Sequence, residues 1–109
     1  MPNWAQNMPH NIVYLEHAYT DLEIILDHIA EDSPSRAVEY LEFLKNGISK
    51  LADFPHLGVM CKRKHIRREC RVLIIENYMV FYKIDEILPT VIIGRVLHRS
   101  INYKTKKLF

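Results

Sequence analysis

Apolar and polar positions follow two different rhythms along this chain, helical in its first half and strand-like in its second. Ile12, Val13, Tyr14 and Leu15 form a short β-prone run that reads as a first strand. Ala18, Leu22, Ile25, Leu26 and Ile29 then fall on one helical face, while Asp21, Glu23, Asp27 and Glu31 occupy the remainder. That spacing predicts an amphipathic helix from about His17 to Glu31. Ser33 is placed to cap a second helix, and Pro34 suits its first position, where no backbone donor is needed. Ala37, Leu41, Leu44, Ile48 and Leu51 carry one apolar stripe along this helix until Phe54-Pro55 stops it. Gly47 within it costs about 1 kcal/mol relative to alanine. The short link makes the two helices an antiparallel hairpin.

From His56 the chain reads as a loop and then a basic run, Lys62 to Arg71, before three β-prone runs at Arg71 to Glu76, Tyr78 to Ile84 and Thr90 to Leu97. Asn77 is suited to the left-handed turn of a tight hairpin, and Asp85 to Pro89 supplies the next reversal. The expected fold class is α+β, in the order β-α-α-β-β-β: an N-terminal strand, then an antiparallel helical hairpin packed on an antiparallel β-sheet. Tyr78, Val80 and Tyr82 share one strand face and Met79, Phe81 and Lys83 the other, so both faces are largely apolar or aromatic. The face away from the helices is therefore either shielded by the chain's own tail or a docking surface for another chain.

The length of 109 residues predicts one domain over 1–109, with its core over about 12–99 and a basic tail over 99–109. No apolar run reaches the roughly 18 residues of a membrane span, and the opening residues lack the pattern of a signal peptide, so a cytoplasmic protein is expected. Cys61 and Cys70, the two cysteines, are expected to be reduced thiols. The net charge of +2 conceals a strong asymmetry. Met1 to Phe54 carries −6 and Pro55 to Phe109 carries +8, which suggests that the second half meets something anionic, unless the opposite charges pair within the monomer.

Three scattered glycines rule out a phosphate-cradling loop, and no serine or cysteine carries the local signature of a nucleophile. Cys61, His65, Cys70 and His98 lack the paired spacing of a zinc site, so neither metal nor cofactor is expected. The candidate constellation is Arg67, Arg68, Arg71, Tyr78, Tyr82, Arg95 and His98. Arginines hold phosphate bidentately, and a tyrosine or histidine moves a proton, which together are the parts of metal-free RNA cleavage. Strand parity complicates it, because Arg95 groups with Val91, Ile93 and Leu97 while His98 falls on the opposite face unless the strand bends. Each residue alone reads equally well as a solvated cation or a hydrogen-bonded sheet residue.

The segments Asp21 to Ala37, LADFPHLG (Leu51 to Gly58), YMVFYKI (Tyr78 to Ile84) and IIGRVLH (Ile92 to His98), in this order, resemble the ParE branch of the RelE/ParE toxin superfamily over about residues 12–99. The resemblance implies the toxin of a plasmid or chromosomal type II toxin–antitoxin module, bound by a cognate acidic antitoxin in a hetero-oligomer. ParE-like members poison DNA gyrase; RelE-like members cut mRNA on the ribosome without a metal. The long hairpin and the RVLH ending lean toward the gyrase poison. On the ribonuclease alternative, Arg71, Arg95, His98 and Tyr82 would be catalytic; a further alternative is an inactive basic binding module of the same fold. Arg67, Arg68, Tyr78, Arg99, Lys104, Lys106 and Lys107 are the candidates for contact with antitoxin or target. Arg99 after the terminal-strand histidine, and the tail beyond it, depart from the ParE pattern.

Overall fold

The computed structural model describes residues 9–64 and 69–109. Strand β1 (Asn11–Tyr14) leads into helix α1 (Glu16–Ala30), and α2 (Pro34–Ser49) returns antiparallel to it and runs on into a 3-10 turn at Lys50–Ala52. The start of α2 is capped as its sequence predicts, with Ser33 Oγ accepting from Arg36 N at 3.4 Å and Pro34 in the first turn. Strands β2 (Val59–Met60), β3 (Arg71–Ile75), β4 (Tyr78–Asp85) and β5 (Thr90–His98) follow. The sheet order is β1-β5-β4-β3-β2, antiparallel except where β1 lies parallel to β5. This is the expected α+β arrangement with one addition, the two-residue β2, in what reads as loop from the sequence. At the β3–β4 hairpin the left-handed residue is Glu76, with φ of 51°, not Asn77.

Two apolar layers flank the sheet. Facing the helices, Leu44, Ile48 and Leu51 from the hairpin pack on Val80, Tyr82, Val91, Ile93 and Val96, all essentially buried. On the far side, Val72, Phe81 and Leu97 are covered by Leu108, with Met79, Tyr103 and Phe109 at the margin. The second apolar face of β4 is thus shielded by the chain's own tail. Gly94 makes this possible: a Cβ there would collide with the Leu108 carbonyl and the Phe109 ring.

Gly94 also marks a break in register. Phe81 pairs with Arg95 but Tyr82 pairs with Ile93, so Gly94 is the extra residue of a bulge. Before it Val91 and Ile93 face the helices; after it Val96 does, and Arg95 shares the far-side parity of Leu97. The single face expected for Val91, Ile93, Arg95 and Leu97 is therefore divided, because the bulge reverses the alternation. His98 takes the helix side, its ring edge-on to Tyr78 at 5.3 Å, and Tyr78 in turn meets Tyr40 of α2.

A second correction concerns the cysteines. Cys61 and Cys70 are joined in a disulfide, not held as free thiols. Their Cα atoms are 5.4 Å apart because the chain returns on itself between β2 and β3, a pairing that their separation in sequence does not reveal.

Candidate functional site

The free edge of β5 organises one side of the molecule. β1 pairs with β5 only as far as Ile93, leaving the backbone beyond without a strand neighbour on that side. Asp21, on the α1 turn that passes this edge, fills the gap: its carboxylate accepts from Val96 N at 2.9 Å, from Arg95 Nε at 2.7 Å and from Arg95 Nη2 at 2.8 Å. The third guanidinium nitrogen, Nη1, donates to the Lys107 carbonyl at 3.0 Å. Arg95 thereby ties helix, sheet edge and tail together, and the hydrogen bonds to Asp21 hold its charged form above the ordinary arginine range. Asp21 is 6% exposed, although the helical pattern assigns it to the solvated remainder.

Tyr82 is similarly committed. Its ring is fully buried, and its hydroxyl donates to Pro55 O at 2.7 Å and accepts from Gly58 N at 2.9 Å. Burial raises its pKa, an effect partly offset by the Gly58 N–H and the Arg71 charge. Arg71 Nη1 completes the clamp by donating to Gly58 O at 2.8 Å. The FPHLG turn that leaves the helical hairpin is thus fastened to the sheet by Tyr82 and Arg71. Gly58 is required there, since a Cβ would lie 2.7 Å from the Tyr82 oxygen and 2.8 Å from the Val72 carbonyl.

Beside this clamp opens a cleft of about 750 Å³, with Met60 and Lys62 on one wall, Arg71, Tyr82 and Lys83 on the other, and the exposed His56–Glu86 pair (3.8 Å) at its rim. A smaller hollow of about 420 Å³ adjoins it, sharing Glu69 and Lys83 and reaching Lys106, Lys107 and Phe109 of the tail. Lys83 Nζ sits over the Phe109 ring, 4.5 Å from its centre. Across the two hollows Lys62, Arg71, Lys83, Lys106 and Lys107 outnumber the carboxylates of Glu69 and Glu86 and stand beside apolar walls, which suits an anionic, partly apolar chain segment. Lys62, Lys83 and His56 lie outside the constellation that the sequence suggests; the fold brings them to one cleft.

The predicted constellation is dispersed. Arg71 pairs with Tyr82 in the middle of β4, whereas His98 pairs with Tyr78 at its start, four residues earlier along the strand and about 13 Å away. Arg95 lies between them, occupied by Asp21 and the tail. His98 Nδ1 accepts from Ser100 N at 3.1 Å and lies 2.8 Å from Ser100 Oγ, so the neutral ring carries its proton on Nε2. Tyr78 is half-buried, and burial raises its pKa. Arg99, Lys104, Lys106 and Lys107 are exposed along the tail. Arg67 and Arg68 lie outside the described residues. Among the described residues no helix is long and apolar enough to cross a membrane.

A five-stranded sheet backed by one helical hairpin, with its first strand parallel to its last, is an architecture shared with solved toxin–antitoxin structures. A chain of the toxin–antitoxin complex RelBE2 from Mycobacterium tuberculosis is 25% identical, with a TM-score of 0.56 over 84% of this chain and 99% of that one. A chain of the chromosomal ParDE system from P. aeruginosa is 17% identical and shares the fold, with a TM-score of 0.68 over 82% and 95%. No match was found among curated proteins. The family described as the ParE toxin of type II toxin–antitoxin system, parDE, matches residues 12–103. The chain belongs to this ParE toxin family, within the RelE/ParE superfamily.

Proposed function

We propose that this toxin arrests bacterial growth by binding and poisoning DNA gyrase, and that a cognate antitoxin neutralises it by laying an acidic, amphipathic segment along the basic side of the sheet. The observation that carries the reading is the commitment of the would-be catalytic groups to the fold. Arg95 is engaged by Asp21 and Lys107 O, the Tyr82 hydroxyl is held between Pro55 O and Gly58 N, and His98 pairs with β4 four residues away from where Arg71 does. Metal-free RNA cleavage needs an acid, a base and a phosphate-binding cation converging within hydrogen-bond reach of one phosphate. Binding needs only a complementary surface, which the Lys62–Arg71–Lys83 cleft and the tail bearing Arg99, Lys104, Lys106 and Lys107 supply. The charge asymmetry of the sequence agrees with an acidic partner segment that orders on binding.

Induction of the wild-type chain and of His98→Gln in bacteria tests this reading. The account expects both to trigger the DNA-damage response while mRNA stays intact. Truncated transcripts with the wild type, lost in the variant, would replace it with ribosome-dependent mRNA cleavage.

A further inference from the structure

We infer that Cys61 and Cys70 form a thiol–disulfide switch that sets the shape of the cleft, a covalent control separate from the choice of target. The bond lies at the next rung of the β2–β3 ladder. Val59 pairs with Val72 and Met60 with Arg71, and Cys61 N then donates to Cys70 O at 2.8 Å. β2 has only two residues; Tyr82 and Arg71 hold the chain at Gly58 just before it, and the disulfide and this hydrogen bond hold it just after, so together they fix Met60 and Lys62 as one wall of the cleft. The opposite wall, Arg71, Tyr82 and Lys83, belongs to the long β3–β4–β5 ladder and does not depend on the bond. Opening the disulfide therefore loosens one wall and leaves the other in place.

The two cysteines differ in access. Cys61 is fully buried against the far-side layer, while Cys70 is 8% exposed and lines the cleft. A dithiol reductant reaches Cys70 from the cleft. Its thiolate attacks Cys70 Sγ and forms a mixed disulfide, and the Cys61–Cys70 bond breaks with its electron pair on Cys61 Sγ, which takes a proton from water. The reductant's second thiolate then displaces Cys70 as a thiolate, which is protonated in turn, and the reductant leaves as its own disulfide. The protein gains two electrons and two protons, and a disulfide oxidant runs the sequence backwards. In the oxidised form the cleft is preorganised, so an anionic segment binds without the cost of ordering the Met60–Lys62 wall.

The test uses the full chain, dithiothreitol as reductant, oxidised glutathione as oxidant and a fluorescent deca-glutamate peptide as probe at low salt. Native protein is expected to release two thiols to a thiol reagent after dithiothreitol treatment without denaturant, and to keep its circular dichroism. Its melting temperature should fall by roughly 10 °C and its probe affinity at least fivefold, both recovered on reoxidation. Cys61→Ser/Cys70→Ser is expected to bind like the reduced wild type whichever reagent is present. Should that variant fail to fold, reduced and reoxidised wild type carry the comparison alone. Equal affinity of the two wild-type forms, including no binding by either, overturns the inference. So does release of thiols only after denaturation, loss of the fold on reduction, or failure of the oxidant to close the bond.

Discussion

Replacing Arg95 by methionine separates a structural role from a catalytic one. The substitution keeps most of the aliphatic stem but removes three hydrogen bonds: it strips two donors from the Asp21 carboxylate, abandons the Lys107 carbonyl and leaves Val96 N as the remaining donor to Asp21 among the described residues. Asp21 is 6% exposed and the arginine side chain 13%, so solvent does little to compensate the stranded charge. Breaking such a buried pair from one side costs about 3–5 kcal/mol. With a urea dependence of about 1–3 kcal/mol per molar for a domain of this size, the unfolding midpoint should fall by roughly 2 M. Asp21→Leu in the same background removes the orphaned carboxylate, and the double variant should regain at least half of the loss, although Val96 N–H stays unpaired. Urea titrations followed by circular dichroism on the four proteins of this cycle give the coupling directly. A loss below about 1 kcal/mol for Arg95→Met, together with abolished toxicity, would refute the reasoning and return Arg95 to the candidates for chemistry.

Other positions test neighbouring parts of the account. Leu44→Ala, at a site with no exposed surface, should cost about 2–5 kcal/mol in the same titration, and an unchanged midpoint would show that the hairpin seats differently. Tyr82→Phe strands the Gly58 N–H and the Pro55 carbonyl and should cost about 1–3 kcal/mol, with faster proteolysis at the FPHLG turn. Burial, with a smaller contribution from Tyr19, pushes Tyr14 up from 10.0 to about 12. The neutral phenol is the form the fold prefers, so this stabilisation is complete below pH 10 and lost as pH rises through 12. For a half-buried ring it amounts to about 1–2 kcal/mol, and Tyr14→Phe should flatten the decline in melting temperature measured over that window.

The local signals in the sequence were accurate where local physics governs. Ser33-Pro34 starts α2, the Leu44–Ile48–Leu51 stripe is its buried face, and the three C-terminal strands begin and end within a residue or so of their apolar runs. What escaped depends on pairing between distant segments. Asp21 looks like one more acidic residue on a helix; its burial follows from β1 ending opposite Ile93, which no helical periodicity encodes. The extra residue at Gly94 shifts everything after it by one face, so Arg95 and His98 could be placed only once the register with β4 was known. Cys61 and Cys70 meet across a strand of two residues, too short to give a signal of its own. The tail reads as a basic extension because Arg99, Lys104, Lys106 and Lys107 dominate its pattern, yet Leu108 is the side chain that closes the far layer. Tyr82 and Arg71 have side chains suited to chemistry, and in the structure they secure the FPHLG turn.

The most direct measurement of the central claim is a supercoiled-plasmid assay with purified gyrase, ATP and the purified toxin, followed by detergent and protease to reveal trapped double-strand breaks. Linear DNA should accumulate with toxin concentration, be undiminished by His98→Gln, and disappear when the cognate antitoxin is added first. Unbroken plasmid throughout, with mRNA cut in a parallel reaction on purified translating ribosomes, would contradict it.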